Sequence, residues 1–297
     1  METSKRSEPA TTGSAVVRII RDLDLEPAWN VKQAKEPGFM RSLTSWVGGP
    51  DGYLNENPGQ AAISDRCAVG LMRMPVGNRQ AGVHFHSVTE IYVILKGQVE
   101  SFDGVGNIHR AGPLDCLYIP AGVPHAVRTI GNEDLELIWV HDALEKTGTS
   151  VYLDGPGPFP ADDTVSLIPF LDLEPCWDEP RAKEAGFLRW FVNWVGGRDG
   201  YVNFNPAHAM PGDRIGMGIM SLLPGNTEMR HSHPDAEVNI VLSGKVATHL
   251  DGRTRELHPL DALYCPAGAV HAMRNHGDVP ATVLWVSEAP RKIVPGR

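Results

Sequence analysis

"GVHFHSVTEIYVILKG", residues 82–97, sets two histidines one residue apart and a glutamate four positions beyond the second. The run that carries them is otherwise apolar and β-branched. In an extended chain residues two apart share a face, so His84 and His86 point one way. Glu90, Tyr92 and Ile94 point with them where the strand resumes in phase. Three polar groups on a buried face are expensive unless something binds them. The pattern returns as "MRHSHPDAEVNIVLSG", residues 229–244, where the matching set is His231, His233, Glu237, Asn239 and Val241. Gly97 and Gly244 end each run in a turn.

The recurrence extends over most of the chain. "LEPAW" at 25–29 returns as "LEPCW" at 173–177, and "AKEPGF" at 34–39 as "AKEAGF" at 182–187. "WVGGPDGYLNENP" at 46–58 returns as "WVGGRDGYVNFNP" at 194–206. The histidine pairs (84 against 231) and "YIPAGVPHA" against "YCPAGAVHA" (125 against 271) follow in the same order. Such a period marks a tandem duplication. The Gly- and Pro-rich stretch 144–163 reads as a linker. The expected organisation is therefore a disordered tail over 1–15, one domain over 16–143 and a second over 164–297.

Each copy is written in short runs rich in Val, Ile, Tyr and Trp, punctuated by Gly and Pro, as in "DCLYIPAGVPHAV" and "DALYCPAGAVHAM". These read as strands of an all-β barrel or sandwich. Short helical segments are expected only ahead of each barrel, around "EPAWNVKQAKEPGF" and its copy. A later strand brings a third histidine to each cluster, His125 in the first and His271 in the second. Three imidazoles and a carboxylate converging inside a barrel suit a divalent transition metal.

The pattern G-x5-H-x-H-x(3,4)-E-x6-G fits His84, His86, Glu90 and Gly97, then His231, His233, Glu237 and Gly244. A second, G-x5-P-x-G-x2-H-x3-N, fits Pro120, Gly122 and His125, then Pro266, Gly268, His271 and Asn275. Thr129 replaces the first copy's Asn, and Leu114 and Leu260 replace the leading glycine. With both motifs twice, the chain resembles the cupin family, as a bicupin. The resemblance implies two tandem double-stranded β-helix (jelly-roll) barrels. It implies that His84, His86, Glu90 and His125 bind one metal, and His231, His233, Glu237 and His271 another.

Three neutral imidazoles and one carboxylate leave a divalent ion near +1, with coordination positions open for substrate. Fe(II) is the expected metal, with Mn(II), Ni(II), Cu(II) or Zn(II) able to occupy the same donors. The expected activity is that of a dioxygenase, an oxidoreductase using O2 on a small enol, phenol, β-diketone or hydroxy acid. The alternative is a redox-neutral decarboxylase, isomerase or lyase, and a non-enzymatic binding protein stands third. Tyr92 and Asn239 are candidates to orient the glutamate or donate to a metal-bound oxygen. Parity also places Val127, Thr129, Met273 and Asn275 toward the cavities.

Other repeated features invite blander readings. The "WVGG-DGY-N-NP" block suits a domain-packing arm, and Arg66 and Arg214 suit ion pairs to Asp65 and Asp213. His109, His141, His208, His249, His258 and His276 have no histidine opposite them in the other copy. A net charge of −9 without a basic run argues against nucleic acid and anionic membranes. No apolar run approaches a membrane span, and the polar N-terminus has no secretory core. Four cysteines without matched spacing read as buried thiols in the cytoplasm. A small molecule is the expected partner, and a homodimer is possible.

Overall fold

In a computed structural model the described residues are 16–29, 32–49, 55–144, 151–155, 157–177, 182–196, 208–212 and 214–289. The tail, part of the linker and much of the WVGG block's turn lie outside them. Glu90–Lys96 is central to the first half: it pairs antiparallel with Cys116–Ile119 on one side and Leu135–His141 on the other. Ala68–Met74 and Ser42–Gly48 extend this sheet. Glu237–Ser243 holds the same place in the second half, between Ala262–Cys265 and Ala281–Ser287, with Gly216–Leu222 and Arg189–Gly196 beyond.

A smaller sheet closes each barrel. In the first half it contains His84–Phe85, His125–Ile130, Gln98–Asp103 and Ile108–Ala111; in the second, Val246–Leu250, Arg253–Leu257 and Met273–Asn275. Strand alternation divides the apolar side chains between two destinations. Tyr92 and Ile94 turn inward onto Val99, Val127 and Leu137, and Val241 onto Val246, Met273 and Val283. Ile91 and Val93 turn outward and share a core with Val238 and Ile240 of the other half. The fold is thus all-β, two tandem barrels back to back.

Two short strands are exchanged across the seam. Arg18–Ile20, at the start of the chain, pairs with Ala262–Tyr264 of the second barrel. Ser166–Ile168, at the start of the second copy, pairs with Cys116–Tyr118 of the first. The seam also carries two reciprocal hydrogen bonds, from Trp46 Nε1 to the Leu260 carbonyl and from Trp194 Nε1 to the Leu114 carbonyl. The duplicated tryptophans therefore belong to domain packing. Each buried large aliphatic at this seam contributes roughly 1.5–3 kcal/mol, so the halves stabilise one another.

The leucines at the motif's missing glycine adopt the glycine conformation, with φ of 68° at Leu114 and 71° at Leu260. Their amides donate to the Ile94 and Val241 carbonyls at 2.7 Å, which holds the left-handed turn in place. The first expected helical segment holds one 3-10 turn, Lys32–Lys35; residues 178–181 of its copy lie outside the described residues, and the turns Asp22–Asp24 and Phe170–Asp172 precede both segments. Glu36-Pro37-Gly38 stops the Lys32–Lys35 turn, since proline restricts the residue before it and Gly38 has φ 86°. All four cysteines are buried and none forms a disulfide. Among the described residues no helix is long and apolar enough to cross a membrane.

Candidate metal centres

The cross-strand pair His84–His125 brings the third histidine against the first. The bridge between His231 and His271 does the same in the second half. Ring centroids of both pairs lie 4.4 Å apart. His84, His86, Glu90 and His125 each offer a donor atom, all within 4.8 Å of one another, and His231, His233, Glu237 and His271 form an equal set. All eight residues expected at the clusters are therefore brought together.

Hydrogen bonds set the imidazoles for metal binding. The Nδ1 atoms of His84 and His125 face the carbonyls of Gly82 and Val123 at 3.3 and 2.9 Å. Those of His231 and His271 face Met229 and Ala269 at 2.8 and 3.0 Å. A proton held on Nδ1 leaves the Nε2 lone pair directed at the cluster, the arrangement of a metal-bound histidine. Burial, then the neighbouring His125, pushes the His84 pKa well down. Burial alone would raise Glu90, but His86, His125 and His141 more than offset it and keep the carboxylate ionised. In the second set burial pushes the His231 pKa down, whereas at His271 burial is outweighed by Cys265 and then Glu237, which raise it to about 11, so a cation bound there must displace that proton. Imidazole nitrogens beside a carboxylate suit a divalent cation, and the two sets fit up to two per chain.

The first cluster also contains His141, which has no histidine opposite it in the second copy. His141 Nε2 lies 3.2 Å from Glu90 Oε1, while His125 Nε2 lies 2.9 Å from Oε2. His141 pairs with Glu90 across the sheet, as Ser287 pairs with Glu237 in the second half. Ser287 instead donates its hydroxyl to the Ala289 carbonyl. The signal for His141 was parity: along "LELIWVH" it shares the inward face of Leu137 and Trp139.

The walls differ further. Tyr92 is buried, with its phenol oxygen beside Glu90 and 3.4 Å from Gln80 Nε2. Burial, then Glu90, raises its pKa well above that of a free phenol, so the hydroxyl keeps its proton. Asn239, the matching residue, is buried and its Nδ2 has no hydrogen-bond partner among the described residues. Gln80 Oε1 accepts from the Val127 amide at 2.9 Å, and Glu228 Oε2 accepts from the Met273 amide at 2.9 Å. An amide thus stands in the first half where the second has a carboxylic acid. Burial, then Glu237, pushes Glu228 up to about 7. Ile119 beside Glu90 is matched by Cys265 beside Glu237. His84, His86 and His125 are buried, whereas His231 and His233 are half-buried.

Other expectations resolve away from the clusters. Asn275 is not a cavity wall: its Nδ2 donates to the Leu222 and Val279 carbonyls, and its Oδ1 accepts from the Gly277 amide. Thr129 likewise donates to the Asn78 carbonyl. Arg214 pairs across the seam with Asp142 at 3.7 Å, and Arg66 acts on Glu288 of the other half. Asp213 lies outside the described residues.

A family model for the cupin domain matches residues 70–141 and 218–287. A dimethylsulfoniopropionate lyase, DddQ of Ruegeria pomeroyi, is 34% identical over 103 residues, which are 35% of this chain. The match spans about half of that relative's length, 51%. Among solved structures, oxalate decarboxylase of Bacillus subtilis, with Mn(II) centres, superimposes with a TM-score of 0.60 at 18% identity, over 95% of this chain and 80% of its own. Protein Ylba from E. coli superimposes with a TM-score of 0.60 at 13% identity, over 95% and 96%. The chain belongs to the cupin family and carries two cupin domains in tandem.

Proposed function

We propose that the chain is a metal-dependent enzyme that breaks a bond in a small oxygenated organic substrate without net redox change, as a lyase or decarboxylase. The first centre, held by His84, His86, Glu90 and His125, is assigned the chemistry. A bound divalent ion supplies a Lewis acid that binds and polarises a substrate oxygen. The observation that carries this reading is Tyr92, a buried phenol between Glu90 and Gln80 within the same cluster. It offers a proton donor next to the metal-binding face, the group that protonation of the fragment released by decarboxylation or bond cleavage needs. Glu90 and Gln80 orient it, and burial excludes competing water. The likeness to a lyase supports the redox-neutral class.

The second centre, held by His231, His233, Glu237 and His271 with Asn239 beside them, has no phenol at the matching position. We assign it metal binding and stabilisation of its barrel. A second reading, an Fe(II) dioxygenase consuming O2, rests on the same three-histidine, one-glutamate donor set.

Metal analysis of protein purified without chelator, paired with turnover assays under nitrogen and in air, separates the two. Up to two divalent ions per chain and turnover without oxygen are expected. Oxygen uptake matched to substrate loss would favour the dioxygenase, and failure to bind metal even after reconstitution would end both. The double variant H84A/H86A is expected to lose one metal per chain and all activity.

A further inference from the structure

Arg41 precedes the strand Ser42–Gly48 and is 3% exposed. Its Nη2 donates to the Tyr152 hydroxyl at 3.1 Å, and the Tyr152 ring lies 5.2 Å from that of His84. Its charge also acts on the Tyr92 phenol. Nη1 is buried with no hydrogen-bond partner among the described residues. A buried guanidinium with an open N–H is costly unless an anion completes it.

Comparison of the halves shows what is missing. Arg189, the matching residue 148 positions on, is equally buried and has Glu228 in its field. Gln80 occupies the Glu228 position, as the shared hydrogen bond to the facing strand shows. The first half keeps the arginine and replaces the carboxylate with an amide. Tyr152 belongs to the segment between the domains, where Val151–Tyr152 pairs with His84–Phe85. It is 39% exposed, so the subsite has one wall open to solvent.

We propose that Arg41 is the anion-binding residue of the first centre, taking the carboxylate of a small carboxylic acid substrate through Nη1, with Tyr152 bracing the guanidinium. The rest of the substrate then faces the His84–His86–Glu90–His125 cluster. This rests on reading that cluster as the working metal centre. Arginine suits the task because its planar donors match a carboxylate and its charge persists at any working pH.

The test uses the metal-loaded full chain, with propionate and its neutral isostere propionamide as probes, titrated by calorimetry or ligand-observed NMR. Propionate is expected to bind at least about tenfold more tightly than propionamide. Arg41→Gln should abolish that preference while metal content stays at the wild-type value. Gln80→Glu, which gives Arg41 an internal counter-charge as in the second half, should do the same and serves if Arg41→Gln fails to fold. Equal binding of the two probes by metal-loaded wild type would overturn the proposal, as would unchanged propionate affinity in a folded, metal-loaded variant. A chain that takes up no metal but shows the Arg41-dependent preference would support the anion subsite and sink the metal-centre reading instead.

Discussion

Trp46 donates its indole N–H to the carbonyl of Leu260 at 2.9 Å, across the seam between the barrels. Trp194 returns the bond to Leu114 at 3.0 Å. Each acceptor is a leucine held at positive φ, so the indole both satisfies a buried carbonyl and anchors a strained turn. Trp46→Phe keeps most of the apolar contact and removes the donor. A loss of roughly 1–3 kcal/mol is expected, read as a lower urea midpoint, with Trp194→Phe losing a similar amount. An unchanged midpoint in both variants would show that the seam does not depend on these bonds.

His141 prepares the first centre by holding one oxygen of Glu90 while the other faces His86 and His125. Outer partners of metal ligands commonly contribute 10–100-fold in affinity. His141→Ser, which copies the second half, should weaken retention at the first centre by about that factor. Titration with a competing chelator would then show one ion leaving early and the other at the wild-type concentration. If both ions leave as in wild type, His141 does not support the centre.

Strand alternation makes Glu90 and Tyr92 legible as one face, but a bend at 87–88 parts His84–Phe85 from Glu90–Lys96, which lie in different sheets. The duplicated motifs, not alternation, join the histidine pair to the glutamate and add His125 and His271. The repeat does not mark His141, because its counterpart in the second half is Ser287. Gln80 and Glu228 escaped because a residue is lost between them and the histidines, which hides their equivalence until the hydrogen bonds align them. The exchanged strands Arg18–Ile20 and Ser166–Ile168 were not legible. A three-residue strand carries no local sign of which sheet edge it will join, and here the partner lies in the other half. Asn275 shows the converse error: parity aimed it correctly inward, but a turn and the neighbouring strand take both ends of its amide.

Gly70 and Gly218 sit where the sheet admits no side chain. A Cβ at Gly70 would overlap the Thr44 carbonyl oxygen and the Trp139 indole; one at Gly218 would overlap the Val192 carbonyl oxygen. Backbone cannot give way as a flexible side chain can, so Gly70→Ala and Gly218→Ala should each cost at least about 1–3 kcal/mol. Gly59→Ala meets nothing within 4 Å and serves as the control. Thermal midpoints would decide it, and a Gly70→Ala protein as stable as Gly59→Ala would refute the close packing.

Glu228 should make the stability of metal-free protein depend on pH in a way that glutamine would not. Its pKa is raised from an ordinary 4.5 to about 7 in the folded chain, chiefly by burial and then by Glu237. Folding therefore takes up a proton between those values. The contribution is most favourable below about 4.5, and it is lost as the pH rises through 7, where the buried carboxylate must ionise. Glu228→Gln carries no charge at any pH. It should match wild type near pH 4.5 and gain on it up to pH 8, by roughly 2–3 kcal/mol at the top of the range. Urea unfolding of both proteins in chelator across that range gives the difference directly. A constant difference, or one that grows toward acid, would show that Glu228 is ionised throughout and that burial does not control it.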